Sequence, residues 1–190
     1  ALRRFRSWVR RYVWRKPEPV FCTISTRHFL PWSLVLFDAL SRHHPRARRL
    51  LLYVGDSLGD TALPVVEGSL VIGVEALVEQ PLEAMLRRRY SASELCFSLK
   101  PRLLRYALDC LGRSAIYLDS DIDVRGPLDA AAIALGSASA VVTPHLDTAI
   151  PFDGKRPSDL TILRAGSFNL GFIGVSECAE ARGLLGWWDQ

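Results

Sequence analysis

The sequence predicts an α/β fold, a mostly parallel central sheet with helices on both faces. Three observations predict it. Six short apolar runs of strand length recur along the chain, and stretches of helical periodicity separate several of them. The runs are near-continuously apolar rather than alternating, the pattern of strands covered on both sides. The chain has 190 residues, 49% hydrophobic and 23% charged, enough for one domain with a sizeable core. With 13 Gly and 11 Pro it is too poor in both for a collagen-like chain and too apolar for a disordered one.

Residues 1–16 carry Arg3, Arg4, Arg6, Arg10, Arg11, Arg15 and Lys16 and no acid, interleaved with Phe5, Trp8, Tyr12 and Trp14. On a helix, Leu2, Phe5, Val9 and Tyr12 share one side with most arginines flanking it. Such a helix suits peripheral contact with an anionic membrane surface; it equally suits a solvated basic helix packed on the domain by its aromatics. Pro17-Glu18-Pro19 ends this arm and opens the domain at 17–190.

Val20 to Ser25 reads as the first strand. Pro31 opens a helix to about His43, with Leu34, Phe37, Asp38 and Ser41 marking its faces. His43 and His44, near its end, are expected to meet its last carbonyls. Leu50 to Val54 is the second strand, ending at Gly55-Asp56, and Leu70 to Val74 the third. From Pro81 to about Leu111 the pattern is helical. There Ser91-x-x-Glu94 forms a capping box, Pro101 stands as the first residue of a further helix, and Arg87-Arg88-Arg89 reads as a solvated face. Ala115 to Leu118, Ala140 to Val142 and Phe168 to Val175 complete the strands. In such sheets ligands bind at the carboxyl ends of the strands.

The formal charge of +4 conceals an asymmetry: seven of the 24 basic residues and none of the 20 acids lie in 1–16, so the remainder is net −3. That body would repel a polyanion, and no nucleic-acid partner is expected. Cys22, Cys96, Cys110 and Cys178 form no C-x-x-C pair, which suggests reduced, mostly buried thiols in a cytoplasmic protein, peripheral at the membrane if the arm engages it. The best apolar stretch, Val65 to Val78, is interrupted by Glu67 and Glu75, and the amino terminus lacks the apolar core of a secretory signal.

The fourth strand runs into Asp119-Ser120-Asp121-Ile122-Asp123. Two carboxylates one residue apart at a strand end can face one hard cation where the backbone turns, and Mg²⁺ or Mn²⁺ would keep positions open for phosphates. The spacing alone equally describes a solvated acidic loop.

In the order in which they occur, these segments resemble the GT-A-type nucleotide-sugar glycosyltransferases, in particular the branch with a Y-L-D-x-D strand end. The likeness runs over most of residues 19–188. It comprises the opening strand, the helix from Pro31, Ser98-Leu99-Lys100-Pro101, Tyr117-Leu118-Asp119-Ser120-Asp121, Thr143-Pro144-His145 and Gly166-Ser167-Phe168-Asn169-Leu170-Gly171-Phe172. The resemblance implies a Rossmann-like domain binding a nucleoside diphosphate sugar, commonly a UDP-sugar, with Mn²⁺ or Mg²⁺ on Asp119 and Asp121. It further implies nucleotide contacts from Thr23, Ser25, His28, Lys100, Asp119 and Ser120, and a donor-sugar lining from Asn169 and Gly171; Lys100 reads equally as a solvated lysine at a helix start. The acceptor is not implied; His145 and Asp153 are candidates to reach one, although Asp153-Gly154 is first a turn signal and His145 also reads as a structural histidine. Relatives place a further metal-binding histidine downstream of the Phe-Asn-x-Gly strand, so the chain is expected to be the amino-terminal portion of a longer enzyme.

Three rivals stand beside this. A haloacid-dehalogenase-type phosphatase also places Asp-x-Asp after a strand, but wants Thr or Val four residues beyond its nucleophile, where Asp119 meets Asp123 and Asp121 meets Arg125. A sugar-nucleotide-binding fragment without transfer activity is the second. A membrane- or nucleic-acid-binding module built on the arm is the third.

Overall fold

The computed structural model describes residues 18–55, 67–151 and 153–190. The arm at 1–16, with both readings of it, and Asp56 lie outside the described residues. In chain order the elements are β1 Val20–Ser25, α1 Leu30–His43, β2 Arg49–Tyr53, β3 Ser69–Gly73, α2 Gln80–Arg89, α3 Ala92–Cys110, β4 Ser114–Leu118, α4 Asp129–Ala134, β5 Ala140–Pro144, α5 Asp159–Ala165, β6 Phe168–Ser176 and α6 Ala179–Trp188. The six expected strands are all present, each within two residues of its expected bounds.

They form one sheet in the order β3-β2-β1-β4-β6-β5. The β3–β2, β2–β1 and β1–β4 pairs are parallel, and β6 is antiparallel to both β4 and β5. Five strands therefore run one way and β6 runs against them. From β1 the chain builds outward through β2 and β3, then returns to lay β4 on the other side of β1. The carboxyl ends of β1 and β4 thus flank the point where strand order reverses, where open α/β sheets leave a crevice for ligands.

Strand periodicity sorts the core into two faces. Val20, Cys22 and Ile24 of β1 share one face with Leu50 and Leu52 of β2 and Ala115 and Tyr117 of β4, under α3 and α6. Phe21, Leu51, Ile116 and Leu118 point the other way, under α1. That double coverage is why the strands read as near-continuous apolar runs.

Three expectations are corrected. Helix α3 does not restart at Pro101 but runs through it. Proline lacks the N–H that would bond the Phe97 carbonyl and weakens an isolated helix there. Here Leu95, Leu99, Leu103 and Leu104, all buried, hold both halves against the sheet, and packing outweighs the local break. His44 does not turn its ring to the helix carbonyls. The ring is buried against Phe21 at 4.9 Å, and its Nε2 accepts a 2.9 Å hydrogen bond from the Leu128 N–H. The cysteines are free, as expected, but only Cys22 is buried; Cys96 and Cys178 are intermediate and Cys110 is exposed.

The capping box is formed: the Glu94 N–H donates to Ser91 Oγ and the Glu94 carboxylate accepts from the Ser91 N–H. Of the arginine run, Arg88 and Arg89 are exposed, whereas Arg87 bonds Glu83 and the Gly55 carbonyl. Helices α4 and α5 had no sequence signal, and neither has a buried residue.

Candidate functional site

Strand β4 delivers the acidic motif to the sheet's carboxyl edge. Its side chains alternate, so Asp119 follows Tyr117 toward the α3 side, while the turn closed by the Ile122 N–H on the Asp119 carbonyl, 3.1 Å, reverses the chain. That turn buries Ser120 and leaves Asp121 exposed. Asp121 has no hydrogen bond or ion pair among the described residues. Asp123 gives one oxygen to Arg125 at 2.7 Å in an exposed ion pair, and of the two overlapping Asp-x-Asp pairs 119/121 is the one that begins on the strand end beside Lys100.

Helix α3 answers β4 with a cation in its buried stripe. Lys100 stands among Leu99, Leu103 and Leu104 and is only 2% exposed. A buried ammonium must be paired and hydrogen-bonded, and this one is. Its Nζ donates to Asp119 Oδ1 and to the Leu170 carbonyl, each at 2.9 Å. It also lies 4.5 Å from the Tyr117 ring centroid and 4.9 Å from that of Phe97, where ring quadrupoles favour a cation. The Tyr117 hydroxyl donates to the same Oδ1 at 2.8 Å. Burial, and then the Asp119 charge, pushes the Tyr117 phenol well above its ordinary pKa, so it remains a neutral donor. Burial also pushes the nearby Cys96 thiol up to about 11, so no thiolate competes for the ammonium.

Oδ1 of Asp119 therefore takes two donors, and Oδ2 is left over. The space Oδ2 faces is kept clear by a glycine. A Cβ on Gly171 would come within 3.0 Å of Asp119 Oδ2 and 2.9 Å of Asn169 Oδ1, closer than a side chain sits without displacing them. Strand β6 fixes this geometry: the Gly171 carbonyl accepts from the Asp119 N–H, and the Gly171 N–H donates to Asn169 Oδ1, both at 2.8 Å. With its oxygen occupied, Asn169 presents its two amide N–H donors outward.

The structure thus brings together Lys100, Asp119, Asn169 and Gly171. Thr23 and Ser25 lie buried inside β1. Ser25 Oγ donates to the Thr26 carbonyl at 3.0 Å, and Thr23 Oγ1 is buried with no partner. His28 is exposed in the turn that follows. His145 and Asp153 stand outside the cluster on the excursion between β5 and β6. His145 Nδ1 lies 2.7 Å from the Gly166 carbonyl; a carbonyl only accepts, so Nδ1 carries the proton and Nε2 is the basic nitrogen. Asp153 accepts from the Lys155 N–H and closes its own turn.

Sequence reasoning missed Tyr117 as a partner of Asp119, although residues two apart on a strand share a face. It also missed the Leu170 carbonyl, which no side-chain pattern can signal. A cleft of about 830 Å³ lies at the opposite end of β1 and β4, lined by Glu18, His44, Arg113, Asp129, Ser176 and Cys178 among others. It is far from the Asp119–Asp121 pair.

No family model matches the chain, and no curated protein matches it. Solved structures do. The galactosyltransferase LgtC, in complex with donor and acceptor sugar analogues, matches with a TM-score of 0.55 and 17% identity over 88% of this chain and 63% of that one. An active-site mutant of LgtC gives 0.50 at the same 17% identity, over 85% and 59% of the two chains. The bifunctional glycosyltransferase WbbM gives 0.55 at 14% identity, over 92% and 34%. The chain has the Rossmann-like α/β fold of these glycosyltransferases and spans less than two thirds of their length. Among the described residues no helix is long and apolar enough to cross a membrane.

Proposed function

We propose that the chain binds a nucleoside diphosphate sugar, a UDP-sugar, at the carboxyl ends of β1 and β4 and serves metal-dependent transfer of the sugar to an acceptor. One observation carries the reading. At the strand-order reversal, one oxygen of Asp119 is tied down by Lys100 and Tyr117, while the other faces a space held open by Gly171.

The donor set suits Mn²⁺ or Mg²⁺. Asp119 Oδ2 and the Asp121 carboxylate are hard oxygen ligands, which these ions prefer. Among the described residues no three His, Cys, Asp or Glu side chains gather to hold an ion by themselves, so phosphate and water oxygens would complete the shell. The ion would supply charge neutralisation for a diphosphate leaving group. The chain's own residues do the rest. Asn169 offers two N–H donors to sugar hydroxyls, and Gly171 lets the donor approach the strand. The β1 end, with Thr23, Ser25 and His28, lies where base and ribose would rest, and His28 is the exposed side chain of the three. Ser120 shapes the turn that presents Asp121. His145, through its basic Nε2, and Asp153 are the candidates for the acceptor side. That LgtC was crystallised with donor and acceptor sugar analogues supports a sugar donor and a sugar acceptor here.

Titration of UDP by calorimetry, with and without Mn²⁺, tests the reading. Wild type is expected to bind UDP tightly only with Mn²⁺, and Asp121→Asn to lose that gain. Binding indifferent to Mn²⁺ sinks the metal bridge, and no UDP binding under either condition sinks the nucleotide site.

A further inference from the structure

We propose that Lys100 is an internal counter-cation that weakens the hold of Asp119 and Asp121 on a divalent ion, so that the ion is retained only once a diphosphate adds its own oxygens. The proposal rests on the metal reading above and concerns a residue whose sequence resemblance suggested a nucleotide contact. The structure assigns it elsewhere. Lys100 is 2% exposed, its ammonium is enclosed by the Phe97 and Tyr117 rings, and its hydrogen bonds go to Asp119 and the Leu170 carbonyl.

Charge decides what this placement does. The carboxylate pair carries −2 and Lys100 returns +1 to it through a 2.9 Å contact. An ion on Oδ2 would share one carboxylate with the ammonium, and such neighbouring cations repel. At the effective dielectric of a half-exposed site, that repulsion costs on the order of 10- to 100-fold in affinity.

The opposing effect is positional, since Lys100 also holds the carboxylate in place. Two other contacts help to hold it. The Tyr117 hydroxyl donates to Oδ1 at 2.8 Å, and the Asp119 N–H donates to the Gly171 carbonyl, also at 2.8 Å. Removing the ammonium leaves both, so the loss of repulsion outweighs the loss of orientation. A buried cation serving only to orient Asp119 would give the reverse sign.

The test is Mn²⁺ binding without nucleotide, read from the paramagnetic resonance signal of free Mn²⁺, for wild type, Lys100→Met and Lys100→Gln, with thermal melts confirming folding. The glutamine variant keeps a donor for Asp119 and the Leu170 carbonyl, so it stands in should methionine not fold. Wild type is expected to bind Mn²⁺ alone only in the millimolar range, and either neutral variant to bind it about 10- to 100-fold tighter. Unchanged or weaker Mn²⁺ binding in a folded variant overturns the proposal, as does micromolar binding by wild type without nucleotide. Calorimetry with UDP in chelator separates the alternatives. A variant that loses UDP affinity without gaining Mn²⁺ affinity makes Lys100 a phosphate ligand instead. If wild type binds no UDP at all, the functional reading fails, while the Mn²⁺ comparison still decides the charge argument.

Discussion

The two ends of the β1–β4 pair are built from similar residue types and finished in opposite ways. At the amino end Glu18, His44 and Arg46 meet beneath a large cleft and pair mainly with one another and with the backbone, although Glu18 Oε2 is buried with no hydrogen bond. His44 Nε2 takes the Leu128 N–H, and Glu18 Oε1 lies 3.5 Å from Arg46. At the carboxyl end the pairing is incomplete in a chemical sense: Lys100 and Tyr117 take one oxygen of Asp119 and leave the other, Asp121 is unpaired among the described residues, and Asn169 keeps its N–H donors. Volume alone would direct attention to the amino end. The free carboxylate oxygens and amide donors gathered at the carboxyl end direct it there, because a ligand gains from groups the fold has not already satisfied.

The comparison can be broken most forcefully at Asp121. Asp121→Asn removes a charge with no partner in the fold, so Mn²⁺-dependent UDP affinity should fall roughly 100-fold, about 3 kcal/mol, while the melting temperature holds or rises. A stability loss without an affinity loss would make the carboxyl end as structural as the amino end.

His44→Ala is the counterpart at the amino end. It leaves the Leu128 N–H without an acceptor and opens a cavity, and denaturant titration should show a loss of about 2–3 kcal/mol with UDP binding unchanged. The same histidine sets a pH dependence. Burial lowers its pKa in the folded state, more than Glu18 and Asp129 raise it, so the unfolded chain binds the proton more readily. Its stabilisation is therefore full above the ordinary histidine pKa of about 6.5 and is lost as pH falls through the lower folded value. His44→Gln should flatten that part of the stability–pH curve; an unchanged curve would mean the ring titrates as in water.

Gly171→Ala sharpens the comparison at the carboxyl end. The added methyl meets Asp119 Oδ2 and Asn169 Oδ1, so calorimetry should show UDP–Mn²⁺ affinity lowered about tenfold, ~1.4 kcal/mol, with the fold retained. Unaltered affinity would mean the cleared space is not the ligand's. The smallest effect belongs to Ser91→Ala, away from both ends. It removes the Oγ that accepts the Glu94 N–H and should cost about 1 kcal/mol of stability by thermal melting, with no change in binding.

The strand set was legible because burial on both faces forces apolar runs that need no context to be seen. The capping box was legible for a similar reason, since its bonds close within four residues. Pro101 was misread because a local rule about a missing N–H competes with the burial of four leucines that only the sheet supplies. His44 was misread because its acceptor role depends on Leu128, which is distant in sequence. Of the site, Asp119, Asp121, Asn169 and Gly171 were visible as motif residues, whereas the ion pair between Lys100 and Asp119 joins a helix to a strand end and leaves no periodic trace.

What the sequence determined by itself is the α/β class, the positions of the strands and the carboxylate pair at the end of the fourth, all consequences of short-range pattern and burial. What only the tertiary structure decided is which oxygen of Asp119 is free, which face of Asn169 is offered, and that the lysine of α3 points inward rather than to solvent. Those depend on β6 lying antiparallel beside β4 and on α3 packing across β1 and β4, from where Lys100 reaches the Leu170 carbonyl of β6. Long-range contacts of that kind set which donors and acceptors individual atoms have left to offer, which residue order along the chain does not encode.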